Sequence, residues 1–295
     1  MTTLATPRES AMRELTTIES ARRWVSEQRA AGRSVGLVPT MGFLHEGHLV
    51  LADAARVLGA AVVMSIFVNP LQFGAGEDLA NYPRDLPRDR TLAESRGVEA
   101  LFVPSVELMY PATAEIRVVP GPSAERWEGA ARPGHFAGVL TVVSKLFHIV
   151  QPDFACFGRK DIQQVTLVRQ MVRDLDWPVE LVVVPTVREP DGLALSSRNV
   201  YLSPGERSKA VALSEALQVA HEAWKEGERR TSALLERMWR SLAVHPEVQV
   251  EYTAVTEPTR LEPVELASGD SIVAIAARLG RARLIDNVIL GEGVT

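Results

Sequence analysis

The sequence predicts an α/β protein: a Rossmann-like, doubly wound parallel-sheet domain followed by a smaller C-terminal α+β domain. Three observations carry this. Through the first two thirds of the chain, short β-branched runs alternate with segments of helical periodicity. Those runs are apolar at successive positions, as strands buried on both faces of a helix-covered parallel sheet must be. Beyond about residue 188 the order changes to helices followed by alternating, antiparallel-looking strands.

The strands are expected at SVGLVP (34–39), AAVVMSIFV (60–68), ALFVP (100–104), DFACFG (153–158) and VELVVVPTV (179–187). Helical segments fall near 48–59, 85–97, 136–150 and 162–175, and in the last Val165, Val168, Val172 and Leu175 recur at helical spacing and predict one buried face. Pro190–Asp191–Gly192 is turn chemistry suited to an exposed connection. Two helical stretches follow, about 205–227 and 231–243, then alternating segments at 248–256 and 271–290. The expected units are therefore 1–187 and 188–295.

At 295 residues the chain can bury a sizeable core, and 46% hydrophobic with 23% charged residues is ordinary for a globular protein. A net charge of −5 and a pI near 5.8 argue against a broad nucleic-acid surface while leaving room for local cations on a small anion. The single cysteine, Cys156, excludes an intrachain disulfide and multi-cysteine metal sites, and in DFACF it reads as a small core residue. The opening MTTLATPRESAMRELTTIESARRW is charged, without the apolar segment of a secretory signal, and no run approaches the ~18 uncharged apolar residues of a membrane span. The expected location is the cytoplasm, with no membrane partner.

In doubly wound sheets ligands bind beyond the carboxyl ends of the strands. PTMG, FVNPLQFG, CFGRKD and the segment after PTV fall there. PTMGFLHEGHLVLADAAR (39–56) sets His45 and His48 around Gly47 where a helical pattern begins. Metal ligation is disfavoured, because zinc helices place two histidines four apart so that both rings share a face, and here the spacing is three. An ordinary helix start is the plain alternative. Against it, Gly42 and Gly47 permit close backbone approach, and a helix N-terminus offers unpaired N–H groups and positive dipole to an anion. A phosphate cradle fits best. It is neither a Walker loop nor a GxGxxG fingerprint, since neither motif occurs.

TMGFLHEGH resembles the HxGH signature of the nucleotidyltransferase superfamily. With SIFVNPLQFG, EDLANYPRDL, RPGHFAGVLTVV, FGRKDIQQ and LALSSRNVYLS, in that order from about 38 to 203, the chain resembles the pantothenate synthetase (pantoate–β-alanine ligase) family. The resemblance implies ATP-dependent joining of pantoate and β-alanine through an acyl adenylate, with Mg²⁺, in a homodimer. It also implies that ATP would be held by Met41, Gly42, His45, Gly47 and His48, by Gly158, Lys160 and Asp161, by Val187 through its backbone, and by Leu195, Ser196, Ser197 and Arg198. Gln72 and Gln164 would hold pantoate, and Asn69 and Arg132 are further candidates for binding pantoate or β-alanine. His45, His48, Lys160 and Arg198 are the expected catalytic residues, with His48 the candidate proton donor.

Each assignment has a plainer reading. Asn69–Pro70 can simply open a turn. Asp161 with Gln164 three later reads as a capping pair. Lys160 is harder to explain structurally, because a cation is disfavoured at a helix N-terminus unless an anion shares the site. SSRN alone would be a surface loop, although a guanidinium suits a phosphate clamp. Arg159 stands where the family often carries Glu or Gln. Arg132 and His135 flank a Pro-Gly turn, and His148, His221 and His245 read as structural or solvated. Two rivals remain: an adenylyl transferase that stops after moving AMP, and a non-catalytic nucleotide binder.

Overall fold

A computed structural model describes residues 12–294, so the start of the charged opening segment lies outside the described residues. The strands are β1 (Arg13–Leu15), β2 (Val35–Thr40), β3 (Ala61–Ile66), β4 (Ala100–Phe102), β5 (Phe154–Gly158), β6 (Glu180–Val184), β7 (Gln249–Thr256), β8 (Ile272–Leu279) and β9 (Ala282–Ile289). β1 to β6 form one parallel sheet in the order β1–β4–β3–β2–β5–β6. β7, β8 and β9 form a separate antiparallel sheet.

Both faces of the parallel sheet are buried. Along β3, Ala61 and Val63 enter the core on one side, Val62 and Met64 the core on the other. Cys156 is buried in the second of these cores. The helix Glu46–Val57 lies so close to β2 that a Cβ at Gly36 would stand 2.9 Å from the Ala55 Cβ. The antiparallel sheet has its own core, built with the helices Ala212–Lys225 and Thr231–Leu242.

The site is set by where the sheet changes direction. From β2 the chain winds one way through β3 and β4, and the other way through β5 and β6, so β2 and β5 flank the switch point. They pair only at Gly36 with Phe154 and Leu37 with Ala155, although both run on further. Pro39 accounts for the break. The Val35 carbonyl accepts from Asp153 on the β5 side and the Thr40 carbonyl accepts from Phe67 on the β3 side. Backbone groups alternate sides along a strand, so position 39 faces β5, and proline has no N–H to continue that ladder. A crevice opens between the strand ends.

Some elements differ from the expectations. β1 and the helix Ile18–Ala30 were not anticipated; the helix buries only Ala21, Trp24 and Val25 on an otherwise polar cylinder, too narrow a seam to stand out. Leu175 does not share the buried face of Val165 and Val168: the helix Ile162–Asp174 ends first, leaving it 50% exposed. β6 ends at Val184 rather than 187. The stretch 205–227 is two helices, Pro204–Lys209 and Ala212–Lys225, and 271–290 is a hairpin turning at Gly280, whose φ is +56°. No helix among the described residues is long and apolar enough to cross a membrane.

Candidate active site

The turn after β2 is built to hold two imidazoles. The Thr40 hydroxyl donates to the Ser65 carbonyl (2.7 Å) and accepts from the Gly42 N–H (3.1 Å). Gly42 has φ +85°, and a Cβ there would lie 2.9 Å from Ile66 Cγ2 and 3.0 Å from Asp89 Oδ2. Phe43 follows with φ +50°. The buried Asp89 carboxylate accepts from the N–H groups of Phe43 and Leu44, both at 2.7 Å, and so fixes this unusual backbone. Burial raises the Asp89 carboxyl above its ordinary value even against those two bonds.

His45 is the N-cap residue of the helix Glu46–Val57. Its N–H donates to His48 Nδ1 (3.3 Å), so neutral His48 carries its proton on Nε2. The two rings lie 4.0 Å apart, centroid to centroid. The His45 ring folds over Gly47, where a Cβ would stand 2.9 Å from His45 Cε1. Burial, then Lys160, lowers the His45 pKa to about 4; burial, then His45 and Lys160, lowers that of His48 well below the ordinary imidazole value. Both rings are therefore neutral at pH 7. Among the described residues His45 Nδ1 is buried without a hydrogen-bond partner.

Asn69 and Gln72 lie in the turn after β3. Asn69 is spent on structure: its Nδ2 donates to Gln72 Oε1 (3.0 Å) and the Gly138 carbonyl (3.1 Å), and its Oδ1 accepts from Leu71 N–H and the Tyr110 hydroxyl. The Gln72 amide group, held by that bond, points to Met41 Sδ at 3.2 Å. Arg132 donates to Glu77 and the Gln72 carbonyl and lies 3.1 Å from His135 Nε2, while His135 Nδ1 donates to the same carbonyl (2.8 Å). Gly138 lets the helix His135–Val150 come this close, since a Cβ would fall 2.1 Å from the Leu71 carbonyl oxygen.

Lys160 and Asp161 occupy a short 3₁₀ turn after β5. Asp161 is the N-cap of the helix Ile162–Asp174, but its side chain makes no capping bond and stays 3.7 Å from Lys160 Nζ. The capping reading is not realised, and the carboxylate pairs with Lys160 instead. Arg159 turns away from the site and pairs with Glu292 beyond β9. The hairpin bridged at Arg188 and Ala194 carries Leu195 to Arg198, and Leu195 N–H donates to the Val187 carbonyl (2.9 Å). Arg198 is held by Asp78 through bonds of 3.1 and 3.2 Å.

These segments enclose a cavity of about 220 Å³. Met41, His45, Gly47, His48, Asn69, Gln72, Gly158, Lys160, Asp161, Gln164, Val187, Leu195, Ser196, Ser197 and Arg198 all line it. Gly42 does not; it backs onto Ile66 and Asp89 and serves the turn. Arg132 lines instead an adjoining cleft of about 670 Å³ toward the small sheet, shared with Lys160, Asp161, Ser196 and Arg198. Asp89, Gly138 and Tyr110 were missed. Only Gly138, a glycine inside a helical pattern, carried a signal that could have marked a close approach.

Comparison with known proteins points to one family. The family model described as Pantoate-beta-alanine ligase matches residues 13–289. The chain is 52% identical over 279 residues to the pantothenate synthetase of Moorella thermoacetica, covering 95% of this chain and 99% of that one. It is 52% identical to the pantothenate synthetase of Desulfitobacterium hafniense, covering 94% and 98%. A crystal structure of the Thermus thermophilus enzyme superposes with a TM-score of 0.89 at 49% identity, over 95% of this chain and 99% of that one. The Francisella tularensis ligase, complexed with beta-gamma ATP and beta-alanine, gives 0.78 at 32% identity, over 97% and 100%.

Proposed function

This chain belongs to the pantoate–β-alanine ligase family, and from that premise we propose that it joins (R)-pantoate to β-alanine through a pantoyl adenylate, splitting ATP to AMP and pyrophosphate. The observation that carries this reading is the convergence, at the β2/β5 switch point, of two neutral imidazoles, one lysine and two glutamines on one cavity. A carboxylate is a poor acyl donor because its leaving group would be oxide. In the proposed first step a pantoate carboxylate oxygen attacks the α-phosphorus, and the bond to the β-phosphate bridging oxygen breaks. The β-alanine nitrogen then attacks the acyl carbon, AMP leaves, and the amine gives up a proton.

The chain's part is positioning and charge stabilisation. The neutral state of His48 favours a hydrogen bond from Nε2–H to the α-phosphate over transfer of a proton. Lys160 and Arg198 would meet the charge developing on pyrophosphate, with Ser196 and Ser197 beside them. Gln72, fixed through its oxygen by Asn69, would present its N–H₂ to pantoate, and Gln164, which makes no side-chain hydrogen bond among the described residues, would meet its hydroxyls. The Val187 carbonyl is taken by Leu195, leaving its N–H for an adenine.

Among the described residues no group of three His, Cys, Asp or Glu side chains could hold a metal by itself. Mg²⁺ would come with the ATP phosphates, where Asp161 is the carboxylate that could hold it and the ion would supply neutralising charge. We take 1–187 as the nucleotide- and pantoate-binding unit and 188–295 as the lid, in line with the separate core of the latter. A cytoplasmic homodimer completes the reading; the segment 114–120 leaves Ile116 88% and Val119 84% exposed and would suit a second copy.

The test is ATP–pyrophosphate exchange with Mg²⁺ and pantoate, without β-alanine. Pantoate-dependent exchange supports the adenylate. If exchange is absent yet pantothenate forms once β-alanine is added, pyrophosphate stays trapped or the two steps are coupled; silence in both assays refutes the reading.

A further inference from the structure

We propose that Asn287, on β9 of the small sheet, is a positioning residue for Lys160, so that the phosphate-facing lysine is aimed from the other unit of the chain. The proposal rests on the role given to Lys160 above.

Asn287 is 3% exposed. Its Nδ2 donates to the Arg159 carbonyl at 3.0 Å and the Lys160 carbonyl at 2.8 Å. A side-chain amide has two hydrogens, and here both go to consecutive carbonyls of a segment more than a hundred residues away. Fixing two successive carbonyls stops the peptide planes on either side of the Lys160 Cα from rotating, and those two planes together set the direction of the Lys160 Cα–Cβ bond. The segment needs such a hold. It is a three-residue 3₁₀ turn that begins after Gly158, which has no side chain to cap it, and the following helix N-cap, Asp161, makes no side-chain capping bond among the described residues.

The neighbouring residue extends the same device. Asp286 takes the Arg188 guanidinium in two bonds, 2.7 and 3.0 Å, and accepts from the Asn287 N–H at 2.8 Å. Arg188 is at the root of the hairpin that carries Ser196, Ser197 and Arg198. Two adjacent residues of one strand thus reach both cationic lobes of the site, the lysine turn and the arginine loop. A movement of the small sheet would shift both together.

The alternative is that Asn287 merely fastens the two units, and a double-mutant cycle separates them. Asn287→Leu keeps the branched shape and the number of side-chain heavy atoms and removes both donors. Pantothenate formation is followed at steady state in the wild type, Asn287→Leu, Lys160→Ala and the double variant, with enough enzyme that the weakest still gives a rate. Asn287→Leu should lower kcat about 10- to 100-fold, the scale of a misplaced reacting group, with KM for pantoate within about twofold. In the Lys160→Ala background the same substitution should cost less than about threefold. Equal losses in both backgrounds, or normal turnover by folded Asn287→Leu, would overturn the proposal. Wild-type turnover by Lys160→Ala would remove the lysine from the mechanism and this inference with it, while pantothenate formation by the wild type would stand. Should Asn287→Leu not fold, Asn287→Ser, too short to reach either carbonyl, replaces it in the same cycle.

Discussion

The imidazole of His45 occupies the space that a side chain at position 47 would need: a Cβ on Gly47 would stand 2.9 Å from His45 Cε1 and 3.0 Å from Nδ1. The glycine of HxGH is thus explained by its histidine neighbour, since the backbone at 47 is helical and no conformational argument demands glycine there. Gly47→Ala should displace the His45 ring and lower kcat about 10- to 100-fold. Its thermal midpoint should stay level or rise, alanine being the better helix former. Pantothenate assays beside calorimetry check this; a fall in both together would mean that the helix, not the ring, is what glycine protects.

Stability should decline on mild acidification. His45 and His135 are held neutral down to about pH 4 by burial, and His48 is shifted the same way. The unfolded chain protonates its histidines below about pH 6.5. Unfolding therefore takes up protons between about 6.5 and 4, so stability is full above that window and is lost as pH falls through it. Urea midpoints at stepped pH should drop there in the wild type and less steeply in His135→Gln. Equal slopes would disprove the depressed value for His135.

Asp78 stands where a phosphate is proposed to stand, against the Arg198 guanidinium. The pair is partly exposed, so the contact is worth at most about 1 kcal/mol. Asp78→Ala should free the arginine and lower KM for ATP about two- to fivefold. An increase in that constant would show that the carboxylate presents Arg198 to the nucleotide instead of competing for it.

Removing the Asp89 carboxylate leaves the amides of Phe43 and Leu44 buried without acceptors, at about 1–3 kcal/mol each. Asp89→Ala should therefore lose about 3 kcal/mol of unfolding free energy or more, and Asp89→Asn, which keeps one oxygen, about half of that. Denaturant titration reads both; a loss under about 1 kcal/mol in Asp89→Ala would mean that the turn holds itself.

The sheet and the site segments could be read because their causes are local. β2, β3 and β5 are apolar at successive positions, and the ligand-facing turns announce themselves with Pro39, Gly42, Asn69 and Gly158. Asp89 could not be read that way. It is one carboxylate among many charges in EDLANYPRDLPRDR, and only the fold buries it beneath Phe43. Arg132 had the reverse fate. It was expected beside the substrate on the strength of RPGHF alone, and in the structure it engages Glu77, Gln72 and His135. Leu175 was misjudged because periodicity does not say where a helix stops, and this one stops at Asp174.

The proline at position 39 has a consequence in the arithmetic of space. One hydrogen atom missing from a nitrogen is what keeps β2 from lacing onward to β5 beyond Leu37. With an amide there, the two strands would have a partner to close upon, and the slot between them would narrow where the nucleotide is proposed to lie. The first letter of PTMG is therefore a spacer, and its contribution to the reaction is room.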